Sequence, residues 1–178
     1  MDKERYQTQV AQSITPLVSS TYSYTVLVMA STDIFPPLTP ELNVRSIEES
    51  VNFYTKILGF TICFERPEDG FATIELDGAV LMLEQVENLN PSNDPWVTAK
   101  LEYPFGRGIN FQITVLDIDG IHNRLTRHGY PIQLPLEQKS YRAGNEFINV
   151  RQFMVIDPDG YLLRFNTLTS ESDVGAQV

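Results

Sequence analysis

Asn110, Gln112 and Thr114 stand two apart between Ile109, Phe111, Ile113 and Val115. That alternation puts the polar side chains on one face of a strand and the apolar ones on the other. Glu84 and Arg164 end two other apolar runs, Leu81-Met82-Leu83 and Leu162-Leu163. Amides, a hydroxyl, one carboxylate and a guanidinium are groups that hydrogen-bond and charge-pair with an organic molecule. They are not the donor set of a divalent metal, which takes several carboxylate, imidazole or thiolate ligands. Covalent chemistry has little to work with either. Cys63 is the single cysteine, lies between Ile62 and Phe64 in an expected strand, and reads as a small core residue. The two histidines, His122 and His128, fall in another segment and are six residues apart, not the three or four that set two ligands on one helix face.

The elements that would carry these residues repeat. Leu42-Asn43-Val44 reads as a strand end, and Ser46-Ile47-Glu48-Glu49 as a capping box with Ser46 accepting from the Glu49 N–H. Ile47, Val51, Tyr54 and Leu58 then form one helical stripe that stops at Gly59. Strands follow at 60–65, 71–76 and 79–86, the first pair joined through Pro67-Glu68-Asp69-Gly70 and the second by the hairpin dipeptide Asp77-Gly78. In the second unit, strand 108–115 precedes a helix capped by Asp117 that carries Ile118, Ile121 and Leu125 and stops at Gly129. Strands at 130–134, 151–156 and 161–167 complete it, the last two joined by Asp157-Pro158-Asp159-Gly160. Internal duplication accounts for the shared order of strand, helix and three strands. A sheet with helices on one face and Asn110, Gln112, Thr114, Glu84 and Arg164 on the other either faces water or closes over a ligand. If the two modules set their strands edge to edge, these polar faces line one trough.

The chain divides into an N-terminal extension, 1–36, rich in Ser, Thr, Tyr and Gln and closed by Pro36-Pro37, a single domain over 37–168, and a tail over 169–178. The domain holds modules 38–86 and 108–168 with a linker, 87–107, in which Asn88, Asn90, Pro91, Ser92, Asn93, Asp94 and Pro95 precede Trp96. Met29 opens Met29-Ala30-Ser31-Thr32-Asp33, and one expectation is that the native polypeptide begins there. With 42% apolar and 11% aromatic residues in 178, an ordered core is expected. Thirteen Lys and Arg against 23 Asp and Glu give a net charge of -10. That field repels nucleic acid and attracts a cationic small molecule, although acidity is also an ordinary route to solubility. The longest apolar run of the extension, Val26 to Ala30, is far short of a membrane span, and Asp2, Lys3, Glu4 and Arg5 do not make a signal-peptide start, so a cytoplasmic protein without a membrane partner is expected.

Ser50-Val51-Asn52-Phe53-Tyr54 with Leu58-Gly59-Phe60, then Leu81-Met82-Leu83-Glu84, and above all Asp157-Pro158-Asp159-Gly160-Tyr161-Leu162-Leu163-Arg164-Phe165, carry a resemblance. From about Leu38 to Phe165 the chain resembles the vicinal oxygen chelate superfamily (glyoxalase I, ring-cleaving dioxygenases, fosfomycin resistance proteins), and within it the bleomycin resistance proteins. The resemblance implies an α+β fold in which two βαβββ modules form a cup-shaped mixed sheet with helices on its outer face, and a homodimer. Metal-dependent members place histidine on the first strand of each module and glutamate late in the last. Counting back from Val44 and Val115 puts the histidine places at Thr39 and Asn110, and the glutamate places are Glu84 and Arg164. One carboxylate in four places, with a guanidinium opposing a cation, implies no metal and no other cofactor.

Antibiotic-binding members of that family capture bleomycin, without modifying it, in grooves between two subunits lined by aromatics and acids. The resemblance therefore implies a metal-independent protein of antibiotic-resistance type that binds and sequesters a small molecule, a cationic aromatic one. Phe64, Phe71 and Glu84 match groove positions, and Asn110, Gln112 and Arg164 complete the expected ligand-binding set. Flat rings stack on a bithiazole, and Glu65, Asp69 or Glu84 pairs with a cationic tail. Core packing accounts for Phe64 and Phe71 equally well, and a Glu84–Arg164 pair across the trough accounts for those two. Two features depart from the family: where it often has a tryptophan ahead of the penultimate strand this chain has Phe147 and Ile148, and Tyr103 to Arg107 with Tyr141-Arg142 bring cations that suit an anionic or neutral ligand. The alternatives are a glyoxalase-like lyase or isomerase, or a dioxygenase relative, of the same superfamily, and a module whose polar sheet face binds a peptide or another subunit.

Overall fold

Ser46 is extended and its Oγ accepts the Glu49 N–H at 3.3 Å, so the first helix begins at the expected cap. The computed structural model describes residues 35–87, 89 and 95–169. Strand β1 (Glu41–Val44) enters helix α1 (Ile47–Asn52), which widens into a π turn over Phe53–Leu58, where the Gly59 N–H reaches back five residues to the Tyr54 carbonyl at 3.0 Å. The turn ends at Gly59, whose φ of 92° is left-handed. A Cβ there would also lie 2.6 Å from Arg124 Nη2. Strands β2 (Thr61–Arg66), β3 (Phe71–Leu76) and β4 (Ala79–Gln85) complete the first module. The second repeats it: β5 (Asn110–Thr114), α2 (Ile118–Arg127), capped by Asp117 Oδ1 accepting from the Gly120 N–H at 2.8 Å, then β6 (Ile132–Ala143), β7 (Glu146–Ile156) and β8 (Leu162–Leu168).

Each module forms its own four-stranded mixed sheet, ordered β1-β4-β3-β2 and β5-β8-β7-β6, with the first two strands of each order parallel and the others antiparallel. The two βαβββ units of the expected fold class are thus present, but among the described residues no strand of one sheet pairs with a strand of the other. The edge-to-edge condition for a single trough is therefore not met within one chain. The two modules instead share one apolar core, in which Leu42, Tyr54, Leu58 and Leu83 from the first are buried in the same cluster as Ile113, Leu125, Phe153 and Phe165 from the second. Because side chains alternate along a strand, the faces carrying Glu84 and Arg164 are turned away from that core.

Two expectations need correcting. Cys63 is exposed, not a core residue. It sits on β2, the edge strand of its sheet, where the pairing slips between Ile62 and Phe64, so the alternation that should bury it is broken there. Strands β6 and β7 are also much longer than 130–134 and 151–156 implied. They run on as a two-stranded ribbon turning at Gly144, paired down to Ala143 and Glu146. The ribbon has exposed side chains on both faces, Phe147 at 66% among them, so it lacks the apolar alternation that marks a strand in sequence. The extension through residue 34 with its Met29, the loop residues Asn88, Asn90, Pro91, Ser92, Asn93 and Asp94, and the tail from residue 170 lie outside the described residues. No helix of the described residues is long and apolar enough to cross a membrane.

The turn between β7 and β8 joins the modules. Asp157 Oδ1 accepts the N–H groups of Asp159 at 3.0 Å and Tyr161 at 2.8 Å, while its Oδ2 accepts the Tyr54 hydroxyl of the first module at 2.9 Å. Asp159 accepts the Arg45 N–H at 3.1 Å, Arg45 Nε at 2.7 Å and the Ser50 hydroxyl at 3.2 Å. In return, Arg124 of α2 donates Nε and Nη2 to the Ile57 and Leu58 carbonyls, at 2.9 and 2.7 Å, which caps the C-terminal end of the first helix. Gly160 has a φ of 89°, and a Cβ there would meet Pro104 Cβ at 2.3 Å. No other residue suits the turn.

Burial pushes the Asp157 carboxyl up from the usual 3.8 to about 6, against the lowering effect of its three hydrogen bonds. The folded protein therefore holds a proton at Asp157 that the unfolded chain has released, between about pH 4 and pH 6. This group alone makes stability rise on acidification through that window and lowers it above pH 6. Urea unfolding should show the parent gaining roughly 2–3 kcal/mol relative to Asp157→Asn between pH 7 and pH 4. Parallel stability curves for the two proteins would show that the buried carboxyl is not displaced.

Candidate functional site

On the outward face of the first sheet, register sets Asn43, Glu84, Phe71 and Arg66 in one row and Glu41, Met82, Thr73 and Phe64 in the next. Phe64 and Phe71 are stacked, their ring centres 6.0 Å apart, and Phe35 meets Phe64 edge-on at 5.9 Å. Neither Phe64 nor Phe71 belongs to the core cluster, although Phe71 is only 5% exposed. The Arg66 guanidinium lies 3.9 Å from the Phe71 ring centre, and its Nε donates to Asp69 at 2.9 Å. Beside the rings stand two carboxylates. Partial burial raises the Glu41 carboxyl above the ordinary glutamate value, its hydrogen bond with Glu84 and the negative charge of Glu84 raise it further, and Arg66 pulls it the other way. A cation arriving between Glu41 and Glu84 would relieve that repulsion.

The outward face of the second sheet has a different chemistry. Thr114, Asn166, Gln152 and Glu137 make a row across all four strands. Thr114 Oγ1 donates to Asn166 Oδ1 at 3.0 Å, and Gln152 Nε2 contacts Glu137 Oε1 and the Tyr141 hydroxyl, each at 2.8 Å. In the neighbouring row Gln112, Arg164 and Met154 are cross-strand partners, and Arg164 Nη2 donates to Gln112 Oε1. Arg164 Nε is buried with no partner. Asn110 lies opposite Leu162, one row further along the same face.

The structure thus brings Phe64, Phe71 and Glu84 together on one sheet and Asn110, Gln112 and Arg164 on the other, and does not bring the two groups together. Among the described residues no ion pair links Glu84 to Arg164: their neighbours are Glu41 and Gln112. Thr39 precedes β1, and its hydroxyl donates to the Pro36 carbonyl at 3.2 Å. The first-strand acid on this face is Glu41, two residues later. Glu84 pairs in register with Asn43 and Arg164 with Gln112, so counting back five from Val44 overshoots a four-residue strand. These donors do not fit a divalent metal, and no three of His, Cys, Asp or Glu cluster at metal-binding spacing among the described residues. Sequence reasoning missed Glu41, Arg66, Glu137, Gln152 and Asn166. Gln152 and Asn166 were visible as polar alternates within expected strands, whereas Glu137 sits in the part of β6 that had no strand signal.

Residues 36–165 match the model of a family described as the Glyoxalase/Bleomycin resistance protein/Dioxygenase superfamily. Bleomycin resistance proteins of Geobacillus stearothermophilus and Staphylococcus aureus are 28% identical to this chain over 131 residues, which cover 71% of it and 92% of theirs. A solved member of the superfamily from Vibrio splendidus 12B01 is 38% identical and covers 71% of this chain and 94% of its own, with a TM-score of 0.32. TioX from Micromonospora sp. ML1 is 21% identical, covers 74% of this chain and 98% of its own, and has a TM-score of 0.54, a likeness of fold.

The carboxylate pair has a direct test. In Glu84→Gln, the Glu41 carboxyl should titrate at lower pH than in the parent, retaining only the upward shift from burial. Side-chain carboxyl carbon shifts followed by NMR across the acid range would show it. An unmoved Glu41 would mean that the two acids do not interact.

Proposed function

The chain belongs to the glyoxalase/bleomycin resistance protein/dioxygenase superfamily, and on that premise we propose that it is a cytoplasmic homodimer that binds and sequesters a small molecule of bleomycin type without metal. The observation that carries this reading is the stacked Phe64–Phe71 pair beside Glu41 and Glu84, on a sheet face turned away from the core. Rings of this kind take up flat heteroaromatics, and paired carboxylates draw in a cation, helped by a net charge of -10. The relatives called bleomycin resistance proteins support the ligand class. The separate sheets support the dimer reading. Each outward face is half of a groove, and a second copy setting its second sheet against the first sheet of this chain gives Phe64, Phe71 and Glu84 an opposite wall bearing Asn110, Gln112 and Arg164.

Titration with bleomycin, followed by intrinsic fluorescence and calorimetry, is expected to saturate at one drug per groove. Phe64→Ala should weaken binding about tenfold, on the order of one lost aromatic contact. Glu84→Gln should weaken it less and flatten its salt dependence. Absence of binding at micromolar drug, together with no protection of cells expressing the protein, would remove bleomycin from the account.

A further inference from the structure

Arg164 is not held as the other structural arginines are. Arg45, Arg66, Arg107 and Arg151 each meet a carboxylate, and Arg124, Arg127 and Arg142 donate to backbone carbonyls. Arg164 meets only a neutral amide, the Gln112 side chain, and its Nε is buried without an acceptor. Its row neighbour is Met154, and Leu162 lies two residues away on the same face, so the guanidinium stands on a partly apolar floor. A guanidinium offers five N–H donors in a planar fork, and an unpaired donor taken from water is costly. Nε and Nη2 form the fork edge that a carboxylate takes side-on with two parallel bonds. Here Gln112 Oε1 fills one half of that edge and nothing fills the other.

We infer that Arg164 is an anion-binding residue, that Gln112 holds its place in the free protein, and that the molecule this protein takes carries a carboxylate on an apolar body. When the ligand arrives, its carboxylate displaces Gln112 Oε1 from Nη2 and gives Nε its missing acceptor, while Met154 and Leu162 receive the apolar part. Combined with the rings and acids of the first sheet, the groove then selects a molecule with a cationic aromatic end and an anionic end. This rests on the reading that the outward sheet faces bind a small molecule, and it deepens that reading by fixing the charge of the second end.

Two naphthalene probes of equal size test it on the full chain: 1-naphthoate, an aromatic carboxylate, and 1-naphthylmethylammonium, its cationic counterpart. Naphthoate should bind, and Arg164→Gln should weaken it about tenfold or more while leaving the cation no weaker. Arg164→Lys, which keeps the charge but loses the fork, should fall between. Glu84→Gln should show the opposite preference, weakening the cation and not the anion. If Arg164→Gln does not fold, the parent still answers, because naphthoate should shift the Arg164 Nε–H resonance in NMR. Failure of naphthoate to bind, equal affinity for it in the parent and Arg164→Gln, or an unmoved Nε–H resonance would each overturn the inference. Bleomycin titrated in parallel separates the two readings: loss of drug binding with Arg164-dependent naphthoate binding intact sinks only the drug, and the reverse result sinks only the anion site.

Discussion

Two carboxylates in one turn govern how the halves of this molecule face. Asp157 holds the turn's own backbone and the Tyr54 hydroxyl, and Asp159 holds the start of the first helix through Arg45 and Ser50. Both acids are buried. Their removal from water is costly, and the donors that offset that cost come from both modules, so the turn satisfies its hydrogen bonds only when the modules meet in this one arrangement. Arg124, reaching from α2 to the end of the first helix, closes the same joint from the other side.

The position of every candidate site residue follows from that joint. With helices and apolar sheet faces turned inward to a common core, the polar face of each sheet is turned away from that core. One face carries stacked rings and a pair of acids. The other carries amides in a cross-strand ladder and a guanidinium with an unfilled donor. A single chain therefore presents two sheet faces of different chemistry, one acidic and aromatic, the other carrying amides and a guanidinium. Glu84 and Arg164 lie on separate sheets, and their partners are another acid and an amide.

Much of the fold was legible from local signals. The Ser46 cap, the stops at Gly59 and Gly129, the Asp77-Gly78 hairpin and the polar alternation of Asn110, Gln112 and Thr114 are set by interactions within a few residues, and each appears where the sequence placed it. The failures have a common cause. The apolar neighbours of Cys63 point to the core, but edge position and a slip in pairing decide its exposure. The ribbon formed by β6 and β7 has no apolar stripe because neither face is covered, so only strand pairing reveals it. Counting along the sequence points to Thr39, and the first-strand acid, Glu41, emerges only from the register of β1 against β4.

The sequence by itself determined the two βαβββ units and the identity of the polar residues on each strand, because alternation, caps and turn residues act over short range. Tertiary structure alone decided that Glu84 meets Glu41 rather than Arg164, that Arg164 is left with a neutral partner, and that the two polar faces do not close on each other within one chain. These outcomes depend on which buried groups find donors across more than a hundred residues of chain, as Asp159 does with Arg45 and Ser50, and no local pattern encodes that choice.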